Sequence, residues 1–370
     1  MTTGLSARAR IVLAAISRHG SVSRSILIRE CSLSGTAIFR ATEELEAAGL
    51  VRAGDPVAAG RGQPSTTIHI EADAAFALGL SVMTDRADVV LLDLAGHVRA
   101  RREVTIPGMP RVAVLDAAAT FGIDTLTLLG IGSRRLKGLG IAVAGFFVAT
   151  DTVNPGKELD DWALVDLRAA ASRQLSLPVA IENIASAAAL GERLLGTSAR
   201  YASSCYVNVA AGIGAGVIVD GALMRGRHGN AGEIEGLFAL AGRVPPSLAT
   251  LRACLADHGV ASTGIADMVA RFDPAWAGVD AWLADHQSSF SYLFGALRYT
   301  LDCEALILGG RLPRILARRI VDAVDWPEEL RPARRARPAP ATILDVASLE
   351  PDLAGPLGAA SLVFHRTLFD

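Results

Sequence analysis

The hydrophobic period of this chain changes once. Up to about residue 50 apolar residues recur at helical spacing, and from Ala77 onward they gather into short runs separated by turn residues. A chain patterned in this way builds a small helical unit followed by a larger unit based on strands. With 370 residues, 51% of them hydrophobic and 20% charged, there is enough apolar material for several packed lobes and too much for disorder. The formal charge is −2, yet residues 1–70 hold eight arginines against five carboxylates, so the excess of positive charge belongs to the small unit.

Within that unit, residues 5–18 place Ile11, Val12, Ala15 and Ile16 on one helical face, and His19-Gly20 closes the segment. A second helix is predicted from Ser23, as N-cap, to Glu30. Cys31-Ser32-Leu33 is a short turn, and a third helix runs from Ser34, again as N-cap, to Gly49. Two helices joined by a three-residue turn are a helix-turn-helix candidate. At 100° per residue, Ile38, Ala41, Thr42 and Leu45 face inward, and Thr36, Arg40, Glu43 and Ala47 face outward. The start of this third helix, with Ser34, Thr36, Ala37, Phe39 and Arg40, offers hydroxyls, a guanidinium and apolar atoms, the chemistry that reads base edges in a major groove. Glu43 and Glu44 would repel phosphate and should lie farther from it. The Gly- and Pro-rich stretch Ala53–Pro64 followed by the alternating Ser65–Ile70 is a β-hairpin wing with Arg61 at its tip. The same residues also suit a helical protein-interaction module.

The larger unit starts as a meander of three strands, Ala77–Val82, Ala87–Leu94 and Val98–Ile106, followed by a helix over 111–130. Strands at Gly138–Ala144 and Val179–Ile181 and a helix at about Ala185–Leu195 come next. A second hairpin set, Tyr206–Val209 with Gly216–Val219, precedes a helix over Gln287–Leu301 and a strand at Ala305–Leu308. Meander first and alternation afterwards, twice over, predicts a two-lobed α/β body with a cleft between similar halves.

Helix, helix-turn-helix, a Gly-Leu-Val exit and the wing Gly60-Arg61-Gly62-Gln63-Pro64 resemble the DNA-binding head of ROK-family transcriptional repressors (repressor, open reading frame, kinase). The body resembles the ROK domain over essentially all of residues 75–370. The matches include Gly140 to Gly145 (GIAVAG), Asp161-Trp162, Pro178 to Asn183 (PVAIEN), Ala187 to Glu192 (AAALGE) and Ala210 to Gly216 (AAGIGAG). The resemblance implies an α/β fold: an N-terminal winged helix-turn-helix (1–70), then a two-lobed actin-like, sugar-kinase-like (ribonuclease H-like) ROK domain (75–370). Its lobe one covers about 75–184 plus a C-terminal helix in 350–370, and lobe two about 185–349.

The family's kinase chemistry is altered in this chain. Phosphoryl transfer needs a phosphate cradle, a metal-binding acid and a base. Where family kinases read Asp-x-Gly-Gly-Thr-Lys, this chain has Ser81-Val82-Met83-Thr84-Asp85-Arg86. Where they have Glu-Asn-Asp it has Glu182-Asn183-Ile184, and isoleucine takes no proton. The glycines Gly212, Gly214 and Gly216 survive and are read as tight turns. No cysteine cluster follows Gly232-Glu233, and Gly236 stands where the family's zinc-binding His would be. No catalytic residue, cofactor or metal is therefore expected. Of the sugar-contacting positions the resemblance implies, Asn183 and Glu233 remain and Glu158 is a new acceptor. These three are the expected effector contacts, for a sugar, a polyol or another sugar derivative.

The isolated Cys31, Cys205, Cys254 and Cys303 suit reduced thiols. The N-terminus MTTGLSARAR lacks the pattern of an export signal, and the longest uncharged run, Tyr201–Val219, is broken by glycines and polar residues. A cytoplasmic protein without membrane contact is expected. The expected function is repression of carbohydrate uptake or catabolism genes, by a homodimer or dimer of dimers on double-stranded operator DNA. The competing readings are an active sugar kinase with an added head and a ligand-free interaction module. The arginine-rich Arg331–Arg337 is read as a solvated loop.

Overall fold

The structure is a computed structural model that describes residues 4–57, 65–325 and 340–369. At the N-terminus α1 (Ala7–His19) is capped by Ser6, whose hydroxyl accepts from Ala9 N, and ends on Gly20 at φ 66°. There follow β1 (Ser21–Ser23), α2 (Arg24–Cys31) and α3 (Gly35–Ala47). Ser32, at φ 53°, makes the turn between α2 and α3. Ser34 caps α3 as expected, whereas Ser23 precedes α2 without a side-chain cap bond and shares its hydroxyl with Ser25 instead. All four residues expected on the inner face of α3 are buried. Strands β2 (Val51–Val57) and β3 (Ser65–Ile70) pair antiparallel, and β1 joins the far edge of β3. The wing tip with Arg61 lies outside the described residues, as does Arg331–Arg337.

The body opens with β4 (Phe76–Val82), β5 (Ala87–Asp93) and β6 (Val98–Val104), then α4 (Arg111–Leu128) and β7 (Leu136–Val143). A small hairpin, β8 (Phe146–Ala149) with β9 (Thr152–Asn154), leads through α5 (Leu167–Leu175) to β10 (Val179–Asn183). The first sheet has the order β10-β7-β4-β5-β6, antiparallel in the meander and parallel at β4, β7 and β10. Next come α6 (Ile184–Leu195), β11 (Ser204–Val209), β12 (Ile213–Val219), β13 (Ala222–Leu223), α7 (Glu235–Leu240), α8 (Leu248–Asp257), α9 (Ile265–Ala270), α10 (Val279–Leu301), β14 (Ala305–Gly310), α11 (Arg314–Ala323), β15 (Ile343–Val346) and α12 (Ala354–Phe364). The second sheet is ordered β13-β12-β11-β14-β15 with the same mixture of directions. Each half is thus an antiparallel hairpin set extended by two parallel strands, the duplication that the sequence pattern implied. One expectation is corrected. Gly214 and Gly216 lie inside β12 opposite Asn208 and Tyr206, and only Ala210 to Gly212 form the turn, because the strand pairing continues through both glycines.

The two halves meet through α12 and α6. Helix α12 is apolar on every side, lies on β4 and β7 of the first sheet, and packs against α6, which covers β11 and β12 of the second. A helix so enclosed needs small residues where backbones touch. A methyl group on Gly140 would collide with the Ala359 carbonyl, and one on Gly358 with the Ala187 carbonyl. Strands β4 and β5 are consequently buried on both faces and read as continuous apolar runs.

The head is not a separate bead. Its core residues Val12, Leu13, Ile16 and Leu27 share one apolar cluster with Ala77, Val90 and Leu92 of the first sheet and with Leu357, Phe364 and Leu368 at the C-terminus.

Candidate functional site

Around α3, Thr36, Phe39 and Arg40 are exposed and Ala37 is half-buried, while Ser34 Oγ accepts from Ala37 N at 3.3 Å. Phe39 remains 45% exposed although it is large and apolar. Arg24, at the first position of α2, stacks its guanidinium over the Phe39 ring at 5.1 Å. Arg24 was missed in the sequence, since nothing local marks it as a neighbour of Phe39. Its position one residue after the Ser23 cap was the available signal. Both carboxylate oxygens of Glu44 accept from Ser6, N and Oγ, at 2.7 Å. Those bonds hold its pKa below the ordinary carboxylate value and tie α3 to the start of α1.

In the cleft, the turn Met83–Arg86 is closed by Met83 N donating to Arg86 O at 2.9 Å. Asp85 Oδ1 accepts from Arg311 Nη1 at 2.8 Å, and Asp85 Oδ2 accepts from Ala266 N of α9 at 2.7 Å. Arg311 also pairs through Nε with Asp352 at 3.0 Å, and Asp352 in turn meets Arg86 at 3.1 Å. Arg86 completes the chain with Asp88 at 2.6 Å and Glu103 at 2.8 Å. The Arg311 and Asp352 side chains are only 4% and 8% exposed, so this is a buried ionic network that binds the turn after β4 to the end of β14. Burial pushes Asp88 up to about 6 against the pull of Arg86. Beside the network, Gly310 N donates to the Tyr206 hydroxyl at 2.7 Å.

Asn183 caps α6. Its Oδ1 accepts from Ala185 N at 2.7 Å and from Ser186 N at 3.3 Å, and its Nδ2 donates to Gly145 O and to Glu233 Oε1, both at 3.0 Å. The structure therefore joins Asn183 to Glu233, fifty residues apart in sequence. The amide of Asn183 is fully used in doing so. Glu233 is otherwise exposed. The protein around it, and then Glu235, raise its pKa above the ordinary value. Glu158 stands exposed on the 3-10 turn Lys157–Trp162, and among the described residues no hydrogen bond ties it to the other two. Asn230 braces the hairpin opposite, accepting from Phe147 N at 2.7 Å and donating to Phe147 O at 2.9 Å.

Residues 77–246 match the model of the ROK family. That match spans just under half of the chain. The chain is 26% identical to the Sinorhizobium fredii protein y4fQ over 371 residues, which are 99% of this chain and 92% of that one. The xylose repressor of Bacillus subtilis is 26% identical over 230 residues, 61% of this chain and 58% of the repressor. The dual regulator NagC of Escherichia coli is 27% identical over 230 residues, 59% of this chain and 54% of its own. The chain thus spans little more than half the length of those two named relatives. Among solved structures, a ROK family transcriptional regulator described as a homolog of the E. coli MLC protein superposes with a TM-score of 0.67 at 19% identity. That match covers 98% of this chain and 96% of the regulator. A ROK family glucokinase from Streptomyces griseus superposes with a TM-score of 0.60 at 20% identity, over 78% of this chain and 99% of the kinase. The fold is shared by that regulator and that kinase, so the distinction has to come from the residues of this chain. Among the described residues no helix is long and apolar enough to cross a membrane.

Proposed function

We propose that this chain is a DNA-binding repressor of carbohydrate uptake or catabolism genes, whose ROK domain senses an effector and does not phosphorylate it. The observation that carries the reading is the exposed start of α3, where Thr36, Arg40 and an unburied Phe39 stacked by Arg24 present a guanidinium and an apolar ring on the face away from the core. A half-exposed aromatic ring held by an arginine suits a thymine methyl or a sugar edge. The names of the relatives, repressors of xylose and N-acetylglucosamine genes, agree with this reading. In this reading residues 1–70 act as a winged helix-turn-helix and 75–370 as the sensor. Two copies would set their α3 helices in successive major grooves roughly 34–36 Å apart.

The buried Asp85–Arg311–Asp352 network supports catalytic inactivity. It fills the space beside the altered phosphate turn with a paired guanidinium and places carboxylates where a triphosphate would carry its own charge. Glu233, oriented by Asn183, is the proposed effector acceptor, and Glu158 a second one from across the cleft. Fluorescence anisotropy on duplexes from the region upstream of the gene tests the reading. Arg40→Ala and Thr36→Ala should flatten sequence preference, Arg61→Ala should weaken binding to all sequences, and the fragment 75–370 should bind none. Binding by that fragment equal to the full chain would refute it, as would sugar phosphate formed from ATP above a heat-killed control for the claim of inactivity.

A further inference from the structure

One turn of the first half is fastened to the second half by charge. Asp85 stands on the turn between β4 and β5, and residues of the other half take both oxygens of its carboxylate. Oδ1 accepts from Arg311 Nη1 at 2.8 Å and Oδ2 from Ala266 N at 2.7 Å. Arg311 directly follows β14, and Ala266 belongs to α9, whose Ile265 and Met268 lie in the core of the second half. Through Nε the same arginine meets Asp352 at 3.0 Å, two residues before α12, the helix that lies on β4 and β7 of the first sheet. These bonds all cross from one half to the other, at the carboxyl ends of β4 and β14.

We propose that Asp85 is a latch that holds the two halves at one closure angle with no ligand between them. The seam where α6 meets α12 does not fix that angle by itself. A methyl group on Gly191 would strike the Ala354 carbonyl and one on Gly358 the Ala187 carbonyl, so the helices touch there backbone to backbone, without long side chains to interlock. Packed helices with such a seam can slide, and the angle is then set by contacts farther out. At the other end of the cleft Asn230 bonds to both backbone groups of Phe147, and Arg225 pairs with Glu182 at 2.9 Å. Opening at the Asp85 end pivots on those contacts. Because Arg311 and Ala266 both belong to the second half, a rotation that lengthens one bond to Asp85 by about an ångström lengthens the other too, and charge-assisted bonds weaken steeply beyond contact distance. The Arg311 side chain is only 4% exposed, so it gives up its carboxylates only by admitting water. The latch is therefore closed or open, with little between. A carboxylate of the chain supplies the closure that a ligand would otherwise have to supply, and an effector entering between the halves works against it.

The elements that the latch fixes also carry the head. Ala77 of β4 and Leu357 and Phe364 of α12 share one apolar cluster with Val12, Leu13 and Ile16 of α1. Release of Asp85 frees the second half from the turn after β4 and from the lead-in to α12, and so changes the support on which the head rests. This second step rests on the proposal that the head binds DNA, and the first does not.

The test measures the distance between the halves in the full chain. Nitroxide labels go on Thr120→Cys of α4 and Ala256→Cys of α8, two exposed positions on helices outside the latch, so that loosening of the turn alone does not move them. Cys31 and Cys254 are replaced by serine, and the buried Cys205 and Cys303 stay. With Asp85 in place, pulsed electron resonance should give one narrow distance. Asp85→Ala leaves Arg311 paired with Asp352 and should fold, and it should raise a second population, displaced from the first, about tenfold or more. Asp85→Asn keeps the shape and one acceptor and should fall between, and it decides by the same reading if Asp85→Ala does not fold. The same single narrow distance with and without the Asp85 carboxylate overturns the latch, as does a broad distribution while it is present. DNA anisotropy is then read on the same proteins. A change in affinity that follows the open population supports the coupling to the head, and equal affinity in all of them overturns it. If the chain binds no DNA at all, the regulator reading falls, while the distances still decide the latch.

Discussion

Replacing Arg311 by alanine removes a buried guanidinium that two carboxylates from different parts of the chain share. Asp85 belongs to the turn after β4 and Asp352 to the lead-in to α12, at 2.8 and 3.0 Å from the arginine. Taking one member out of a buried pair typically costs about 3–5 kcal/mol, because the partner's charge stays buried without compensation. Two features reduce that here. Asp352 keeps Arg86 at 3.1 Å, and Asp85 is about a quarter exposed and keeps the Ala266 N–H. The expected loss is therefore about 3 kcal/mol, near the lower end of that range. Urea unfolding followed by tryptophan fluorescence measures it, since Trp162 sits in the core of the first half and Trp282 in that of the second. Both probes should move together, because the network joins the two halves. Adding Asp85→Asn to Arg311→Ala should cost less than the sum of the single changes, as the second removes a carboxylate that the first orphaned. A loss within about 0.5 kcal/mol, as for an exposed ion pair, would refute the reasoning.

Asp88 gives a pH dependence. Its folded pKa of about 6 lies above the ordinary 3.8, so the folded chain takes up a proton that the unfolded chain does not. The contribution of this group is therefore greatest below the unfolded value and is lost as pH rises through about 6, and Asp88→Asn should flatten the stability profile between those limits. Gly358→Val should destabilise by about 3 kcal/mol or prevent folding, since the added side chain meets the Ala187 carbonyl of α6, and thermal melting reads it. Ser34→Ala should cost about 1 kcal/mol by uncapping α3 and should lower the melting of a head-specific hydrogen-exchange signal before that of the body. Arg24→Ala should leave global stability nearly unchanged while weakening DNA binding through loss of the Phe39 stack, and equal affinity for DNA would remove Arg24 from the interface.

Much of the molecule was legible as a string. The faces of α3 follow from a helical period acting on four apolar or small residues, and all four are buried. The caps at Ser34 and Gly20 are local chemistry between neighbours in sequence, and so is the twice-repeated order of meander and parallel strand. The altered base at Ile184 and the altered turn at Met83 to Arg86 were also visible, because a missing proton acceptor needs no geometry. What the string left open is pairing at a distance. Asp85 gave only an unexplained charge in a phosphate turn until its partner Arg311, 226 residues later, was brought beside it by α12 holding the two sheets together. That Asn183 precedes a helix and can cap it is local, but only the fold shows that its amide nitrogen also donates to Glu233, fifty residues on. Arg24 on Phe39 is of the same kind. Periodicity fixes which face of an element is apolar, but which charges meet across that packing depends on loops and register that no local window contains.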